Sequence, residues 1–252
     1  MRFRLKAFGL HLASSACALL LVLAALYLGW YRWPGWYLTG VAKVAAMMVG
    51  VDVILGPLLT LVVANKDKST RELTRDIGII VAVQLVALVY GTSTLWAGRP
   101  LFYAFSVNEL QMTQASDIDP AEVTLAGRQN PDFAPHWYSL PRWVWAPLPD
   151  DADTRDKIVT GAVFGGGDDV IQMPRYFKSW HQGETELRKQ LVKVDALRQF
   201  SKSQKELVKR RMQEAGFPTE EATTLAMSGR AGFLVAVFDP RSLQIRALLR
   251  PD

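Results

Sequence analysis

The chain has 252 residues, of which 50% are hydrophobic and 21% are charged, and it contains one cysteine. This composition excludes a disordered chain, a collagen-like chain and a small secreted domain held together by disulfides. Residues 1–98 contain 9 Lys and Arg against 4 Asp and Glu, whereas residues 99–252 contain 20 of each kind, so the formal net charge of +5 lies wholly in the first part. An excess of basic over acidic residues that is confined to an apolar segment is typical of a protein that spans a membrane, and it argues against nucleic acid as a partner.

Three long apolar runs dominate the first 98 residues. Ala7 to Tyr31 and Ile77 to Gly98 contain no charged residue, and Val44 to Asn65 contains only Asp52. Each run exceeds the ~18–20 apolar residues that a helix needs to cross roughly 30 Å of hydrocarbon. The sequence therefore predicts a three-helix transmembrane domain over residues 1–98, with spans at about 7–31, 41–65 and 77–97.

The first run has two alternative interpretations. Its basic start, Arg2, Arg4 and Lys6, suits a cleaved signal peptide, but its apolar stretch is longer than the usual ~7–15 residues. Cys17 would be the modified residue of a lipoprotein, but Ser14 stands where an aliphatic residue is expected and the apolar run continues past the cysteine. A first transmembrane helix is the interpretation that the sequence favours.

Basic residues in the short loops predict the orientation. The N-terminal tail has three and the loop over residues 66–75 has four, whereas Arg32, Lys43 and Arg99 are the three that fall on the other side. The N-terminus and the second loop are therefore expected in the cytoplasm. The first loop is rich in Trp and Tyr, which suit the headgroup level, and it is expected outside the cytoplasm together with everything after Arg99.

Asp52 is an ionisable residue near the middle of the second span. Such a group costs about 2.5–3.5 kcal/mol to insert, so a partner or a function is expected for it. Gln84 lies at a comparable depth in the third span and is expected to donate a hydrogen bond to it. Gly56, four residues on, allows close helix approach, and Pro57 frees a carbonyl one turn earlier. Three roles stay open for Asp52: a structural link between the helices, a direct contact with a partner, or part of a proton or ion pathway.

Residues 99–252 have the composition of an ordinary soluble domain, and their pattern predicts a small α+β extracytoplasmic domain. β-Branched and aromatic residues predict strands, Asp119 followed by Pro120 predicts a helix start, and five prolines predict an irregular segment. In chain order we expect a strand at 99–107, a segment at 109–115 that continues this strand or pairs with it, a short helix at 119–126 and an irregular segment at 130–151. After these we expect a helix at 154–164 ended by Gly165–Gly167, a long helical stretch within 182–213 with a break near 200–203, ended by Gly216–Pro218, and a hairpin over 232–249.

The long helical stretch carries both an apolar stripe and a concentration of positive charge. Leu187, Leu191, Val194 and Leu197 recur at the spacing of one helix face. From residue 188 to residue 211 there are 9 basic and 2 acidic residues. This segment is a candidate docking face for an acidic partner or for lipid headgroups. The alternative is a solvated helix face neutralised by the domain's own acids. The candidate residues are Arg188, Lys189, Lys193, Lys202, Lys205, Lys209, Arg210 and Arg211.

No arrangement of residues typical of an enzyme is present in the sequence. His11, His136 and His181 do not have the spacing of metal ligands, and a single cysteine excludes thiol–disulfide chemistry. Residues 151–156 lack the glycine and the closing glutamate of a calcium loop, residues 165–169 lack the Lys-Ser/Thr of a phosphate loop, and Gly-x-Ser-x-Gly does not occur. We therefore expect a binding or assembly role rather than an enzyme, with no catalytic, metal-binding or cofactor-binding residue.

Three blocks of the first part resemble the type IV pilin accessory proteins, the TfpX/TfpZ family. They are Lys6–Leu12, Val51–Leu61, and Asp76 with Gln84–Gly91 followed by Gly98-Arg-Pro. The resemblance is strong over about residues 1–115 and weaker beyond. The positions that it identifies as family-defining, with a structural or partner-binding role, are Asp52, Gly56, Pro57, Gln84, Tyr90, Gly91, Arg99 and Pro100.

The resemblance implies a multi-pass protein in the inner membrane of a Gram-negative bacterium, with a periplasmic domain over residues 99–252. It implies a pilin-specific chaperone or assembly modulator whose partner is a cognate type IV major pilin, which has one apolar N-terminal helix and a globular head. Membrane lipids and other pilus assembly components are further expected partners, and no catalytic residue or cofactor is implied.

Two other classes of function stay open at this point. An envelope sensor or scaffold would need a deep, polar-lined pocket in residues 100–252. A membrane enzyme acting on lipid or glycan would need acids or histidines that converge near Arg99 at the outer membrane surface.

Overall fold

The computed structural model describes residues 1–164, 167–217 and 222–252. The chain forms two compact units, Met1–Arg99 and Pro100–Asp252, and each is described by itself.

The first unit is wholly helical. Three continuous helical segments, Arg2–Tyr31, Val41–Val63 and Thr70–Ala97, are long and apolar enough to cross a membrane. The first segment ends in a π-helical turn and the second is interrupted by one, and in such turns the backbone hydrogen bonds join residues five apart rather than four. The elements are α1 (Arg2–Leu26) followed by the π turn Tyr27–Tyr31, α2 (Gly35–Thr39), α3 (Val41–Val49), the π segment Gly50–Leu55, α4 (Gly56–Val63) and α5 (Thr70–Ala97).

Helix α5 begins seven residues before the third predicted span, and a capping box explains why. The hydroxyl of Ser69 accepts from the backbone N–H of Glu72 at 3.3 Å, and the Glu72 carboxylate accepts from the backbone N–H of Ser69 at 3.0 Å. These two bonds satisfy backbone donors that a helix leaves free at its start. The polar turn before the apolar run is therefore helical as well.

The second unit contains a seven-stranded mixed sheet in the order β4-β3-β1-β2-β5-β6-β7. An antiparallel hairpin of β1 and β2 lies at its centre, and each of the two has a parallel neighbour on its other side, β3 beside β1 and β5 beside β2. The strands are β1 (Pro100–Ser106), β2 (Glu109–Gln114), β3 (Arg142–Trp145), β4 (Lys178–Ser179), β5 (Thr223–Ser228), β6 (Phe233–Phe238) and β7 (Ile245–Leu249).

Four helices accompany the sheet: α6 (Pro120–Gln129), α7 (Ala152–Phe164), α8 (Glu184–Gln190) and α9 (Lys202–Glu214). The predicted cap of α6 is confirmed, because the Asp119 carboxylate accepts from the backbone N–H of Ala121 at 2.6 Å. Ile158 of α7 packs with Val144 of β3 in one buried cluster, and Met212 of α9 packs with Val235 of β6 in another. Gly165, Gly166 and Pro218, which were expected to end helices, lie outside the described residues.

The helical stretch expected within 182–213 is not one long helix, although the break expected near residues 200–203 is confirmed by the start of α9. Helix α8 ends at Gln190 and α9 begins at Lys202. Between them the backbone of Val192 pairs with that of Thr224, with N–O distances of 3.0 and 2.7 Å. Strand β2 pairs with β5 only at its C-terminal end, at Met227 and Ser228. The backbone of Val192 pairs with Thr224 near the other end of β5, where β2 does not reach.

Besides the two-residue β4, two longer strands were missed for similar reasons. Strand β3 lies inside the proline-rich segment that was expected to be irregular, and pairs in parallel with β1 from Phe102↔Arg142 to Phe105↔Trp145. Strand β5 was not expected at all. Tertiary pairing rather than local pattern makes both segments extended.

Candidate functional site: a polar chain between the apolar helices

Four polar residues from the three long helical segments meet inside the first unit. The Nδ1 atom of His11 lies 2.6 Å from the hydroxyl of Thr60, and its Nε2 lies 2.7 Å from Oε1 of Gln84. The side-chain amide of Gln84 in turn donates to the backbone carbonyl of Asp52 at 2.9 Å. These bonds connect α1, the second helical segment and α5, so one chain of hydrogen bonds links all three.

The direction of each bond follows from the atoms involved. Oε1 of Gln84 can only accept, so Nε2 of His11 carries a proton and donates it. A neutral His11 then accepts from the Thr60 hydroxyl at Nδ1. The chain of donors thus runs from Thr60 through His11 and Gln84 to the Asp52 carbonyl, and it is complete with an uncharged imidazole.

Pro57 explains why the Asp52 carbonyl is free to accept. In the π segment the backbone N–H of Gly56 donates to the carbonyl of Val51, five residues earlier. The same pattern would have the backbone N–H of residue 57 donate to the carbonyl of Asp52, five residues earlier. Residue 57 is proline, which has no N–H. The Gln84 amide takes that place. The carbonyl that proline was predicted to free is therefore that of Asp52, and a residue from another helix satisfies it.

Gly56 makes the contact with Gln84 sterically feasible. A Cβ atom at this position would lie between 2.1 and 2.4 Å from the Gln84 side-chain amide, closer than real Cβ contacts come. Gly56, Pro57 and Gln84 are all buried. The absence of a side chain at position 56 thus lets α5 approach closely enough for its glutamine to reach the Asp52 backbone.

The Asp52 carboxylate itself is not part of the chain of hydrogen bonds. It is 4% exposed, and within residues 1–164, 167–217 and 222–252 neither of its oxygens has a hydrogen-bond partner. Gln84 was expected to donate to this residue, and it does so at the backbone rather than at the side chain. A cavity of about 210 Å³ lies beside it, lined also by Ser15, Ala18 and Val81.

The structure separates the remaining predicted positions from this cluster. Tyr90 is 73% exposed on the surface of α5. Gly91 is buried, and a Cβ there would lie 2.7 Å from the Met48 side chain, so it serves a different helix contact. Arg99 donates to the Trp96 carbonyl at 2.7 Å, and burial lowers the pKa of its guanidinium. Pro100 is the first residue of β1.

Sequence reasoning missed His11 and Thr60 as members of the cluster. Thr60 lies four residues after Gly56 and eight after Asp52, so the helical spacing places all three on one face. His11 lies within the first block that carried the family resemblance. The signal that could have identified them was the occurrence of uncommon polar residues at matching depths in three apolar runs.

The eight basic residues of the candidate docking face fall into two groups. Five contact neighbouring groups of the second unit: Arg188 donates to the Pro240 carbonyl, Lys189 pairs with Glu186, Lys205 donates to the Asp195 carbonyl, Lys209 pairs with Asp195 and Glu206, and Arg211 donates to the Arg250 carbonyl. For the other three, Lys193, Lys202 and Arg210, the side chains are exposed and have no hydrogen bond or ion pair within the part of the chain that the structure describes. Two of the three acids that pair with these lysines, Asp195 and Glu206, lie within the basic segment itself, and Glu186 lies just before it.

No group of three or more His, Cys, Asp or Glu side chains that could hold a metal occurs among the described residues. His181 pairs with Glu184 at 2.7 Å, and His136 stacks on Tyr138 with 5.3 Å between ring centroids. Apart from the cavity beside Asp52, the buried polar chain offers internal hydrogen bonds rather than a reactive group.

Comparisons with known proteins return fimbrial assembly proteins. The chain is 27% identical over 254 residues to the fimbrial assembly protein of serogroup I from Dichelobacter nodosus, an alignment that covers 99% of this chain and 96% of that protein. The same identity and coverage hold for the serogroup E1 protein of that bacterium. The fimbrial assembly protein of serogroups C1 and C2 is 29% identical over 116 residues, which cover 46% of this chain and 88% of that protein. No family model matches the chain, and no solved structure matches it.

Proposed function

We propose that the protein is a type IV pilus assembly factor of the bacterial inner membrane that binds a cognate major pilin and assists its stability or its incorporation into the pilus. The observation that carries this proposal is the similarity to two fimbrial assembly proteins over 99% of the chain, which takes in both the apolar helices and the sheet-containing unit. The finer assignment, a pilin-specific chaperone of the TfpX/TfpZ type, rests on the sequence blocks around Asp52, Gln84 and Arg99.

The architecture suits a partner that is itself divided between membrane and periplasm. Three helices of membrane-spanning length provide a surface for the apolar helix of a pilin. The separate unit Pro100–Asp252, of 153 residues, provides a second surface for the globular head of the pilin. In this proposal the N-terminus is cytoplasmic and the second unit is periplasmic. The role is binding rather than catalysis, and the interface is modest and polar because an assembly factor has to release its subunit.

Co-purification tests the proposal directly. The tagged full-length protein is isolated from membranes of cells that also produce its cognate pilin, with a pilin from an unrelated strain as the matched control. We expect the cognate pilin to co-purify and the control pilin not to, and deletion of the gene to lower the level of pilin or of surface pili. Absence of the cognate pilin from the purified material, together with normal pili in the deletion strain, would refute the proposal.

A further inference from the structure

The cavity beside Asp52 is a cleft between α1 and α5 that reaches the surface of the first unit. His11, Ser14, Ser15, Ala18 and Leu19 line it from α1, and Val81, Gln84, Leu85 and Leu88 line it from α5. Ser14, Ala18 and Leu85 are exposed, so the cleft is open to whatever surrounds the helices. Its volume of about 210 Å³ is enough for a large side chain.

The walls of the cleft combine apolar and small residues with three larger polar ones, His11, Gln84 and Asp52. Asp52 is nine-tenths or more buried, with 4% of its surface exposed. Three nearby donors are already engaged, since the Gln84 amide donates to the Asp52 carbonyl, the Thr60 hydroxyl contacts His11 and the Ser14 hydroxyl donates to the His11 carbonyl. The described part of the first unit thus leaves both carboxylate oxygens without a donor.

A buried carboxylate without donors is unfavourable in hydrocarbon, where lipid tails cannot replace water. The favourable occupant of the cleft is therefore an apolar segment that carries a hydrogen-bond donor at the depth of Asp52. The small side chains of Ser14, Ser15 and Ala18 on α1 would let a helix approach closely, as small residues do at helix contacts in membranes.

We propose that this cleft is the binding site for the transmembrane helix of the partner, and that Asp52 accepts a hydrogen bond from a donor side chain of that helix. The inference rests on the proposed function, because the expected partner is the pilin subunit with its single apolar helix. It goes further by assigning the contact to one cleft between α1 and α5 and to one carboxylate.

A photo-crosslinking amino acid placed at Val81 tests the assignment, with Val83 as the matched control. Val81 lines the cleft, whereas Val83 is 62% exposed, lies two residues along the same helix and does not line it. In cells that produce the cognate pilin we expect a pilin adduct from position 81 and none from position 83. Equal adducts from both positions, or none from position 81 although the pilin co-purifies, would overturn the inference and leave the proposed function standing.

Two pairs of substitutions test the chemistry. Asp52→Asn keeps one acceptor oxygen on the side chain, whereas Asp52→Leu removes both side-chain oxygens. The yield of the position-81 adduct should therefore persist in Asp52→Asn and fall about fivefold or more in Asp52→Leu. Ala18→Phe fills the cleft without altering the polar chain and should also abolish the adduct. The neighbouring Cys17 is exposed and does not line the cleft, so the control variant Cys17→Phe should leave the adduct unchanged.

The outcomes separate the two proposals. If Asp52→Leu fails to fold, the comparison of Ala18→Phe with Cys17→Phe still decides whether the cleft is occupied. If the yield of the position-81 adduct is unchanged in Ala18→Phe or in Asp52→Leu, the proposal that the cleft binds the partner helix is refuted. If the cognate pilin does not co-purify with the unsubstituted protein, the proposed function is refuted instead. If position 81 then also forms no adduct with any protein in native membranes, the cleft is refuted as a binding site as well.

Discussion

The imidazole of His11 and the side-chain amide of Gln84 meet at 2.7 Å, which connects the first and third apolar helices through their interiors. The two residues are separated by 73 positions in the chain. Since the Gln84 amide also donates to the Asp52 carbonyl, a single side chain connects to both of the other long apolar segments.

Replacement of Gln84 by leucine should therefore weaken the packing of the three helices. It removes the acceptor for His11 and the donor for the Asp52 carbonyl, and bonds of this kind are worth about 0.6–1.7 kcal/mol each in membranes. We expect a lower melting temperature of the helical circular dichroism signal for the full-length protein in detergent. Val83→Leu, on the exposed side of the same helix, is the control and should melt like the unsubstituted protein. Identical melting of Gln84→Leu would show that the chain of hydrogen bonds does not stabilise the unit.

Two glycines of the second helical segment give a matched pair for steric packing. Gly56→Ala would place a Cβ within 2.4 Å of the Gln84 side chain, which its hydrogen bonds hold in place, whereas a Cβ at Gly50 would meet nothing within 4 Å. Gly56→Ala should therefore destabilise the unit, by about 1–3 kcal/mol as for other overpacked cores, and Gly50→Ala should be neutral or slightly stabilising. Thermal melts of the two variants in the same detergent measure the difference. An equal melting temperature for the pair would contradict the close approach.

The sequence predicted the three long apolar helices closely because they depend on composition. Runs of apolar residues and the proline at position 57 have direct local consequences, so the three helices and the freed carbonyl follow from them. The partners in the polar chain do not follow, since which side chain reaches Asp52 depends on helix rotation and register. For the same reason His11 was not assigned to the cluster.

The second unit was predicted less well because its strands depend on long-range pairing. The hairpin β6–β7 is local and was expected, and for β1 and β2 the structure shows pairing, one of the two arrangements that the sequence left open. Strands β3 and β5 pair in parallel with strands distant in sequence, and no local pattern indicated them. The stripe from Leu187 to Leu197 indicated burial correctly at Leu187, Val194 and Leu197, but the helical periodicity was accidental because Val192 pairs with Thr224.

The proposed topology predicts opposite behaviour of two reporter fusions. A reporter that is active only in the periplasm should be active when fused after Asp252 and inactive when fused after Lys68, because the loop that contains Lys68 is basic and short. A reporter that is active only in the cytoplasm should give the reverse pattern. Periplasmic activity at both sites, or at neither, would rule out an arrangement with three spans.

The turn between β6 and β7 predicts a pH dependence. The Asp239 carboxylate accepts from the backbone N–H groups of Ser242 and Arg241, each at 2.9 Å, and pairs with Arg246 at 2.8 Å. The Ser242 backbone bond, then Arg246 and the Arg241 backbone bond hold the pKa of this carboxyl well below its ordinary value of 3.8. A depressed acid pKa stabilises the folded state above the unfolded pKa, and that stabilisation is lost as the pH falls through the folded pKa.

The unsubstituted protein should therefore melt above Asp239→Asn at pH 7, and the difference should shrink as the pH falls below about 4. Asparagine keeps an acceptor for the turn but loses the charge, so the comparison isolates the ionisation. Melting temperatures of both proteins between neutral and acidic pH provide the measurement. A difference that stays constant down to about pH 2 would show that the carboxylate charge does not contribute.

The basic segment of the second unit can now be tested with residues that the structure separates. Lys193, Lys202 and Arg210 are exposed and have no bonded partner within the described ranges, whereas Lys209 pairs with Asp195 at 2.7 Å and with Glu206 at 3.2 Å. The Asp195 contact and then the Glu206 contact raise the pKa of Lys209, which indicates that its charge serves the fold.

Reversal of Lys193, Lys202 and Arg210 to glutamate should lower pilin capture while the melting temperature of the second unit barely changes. The reduction should be strongest at low salt, because exposed charges act over a Debye length of only ~8 Å at physiological ionic strength. Lys209→Glu should do the opposite, lowering the melting temperature through repulsion from Asp195 and Glu206. Unchanged capture by the triple variant at low salt would end the docking hypothesis, because these three candidate side chains are exposed and make no hydrogen bond or ion pair within the described ranges.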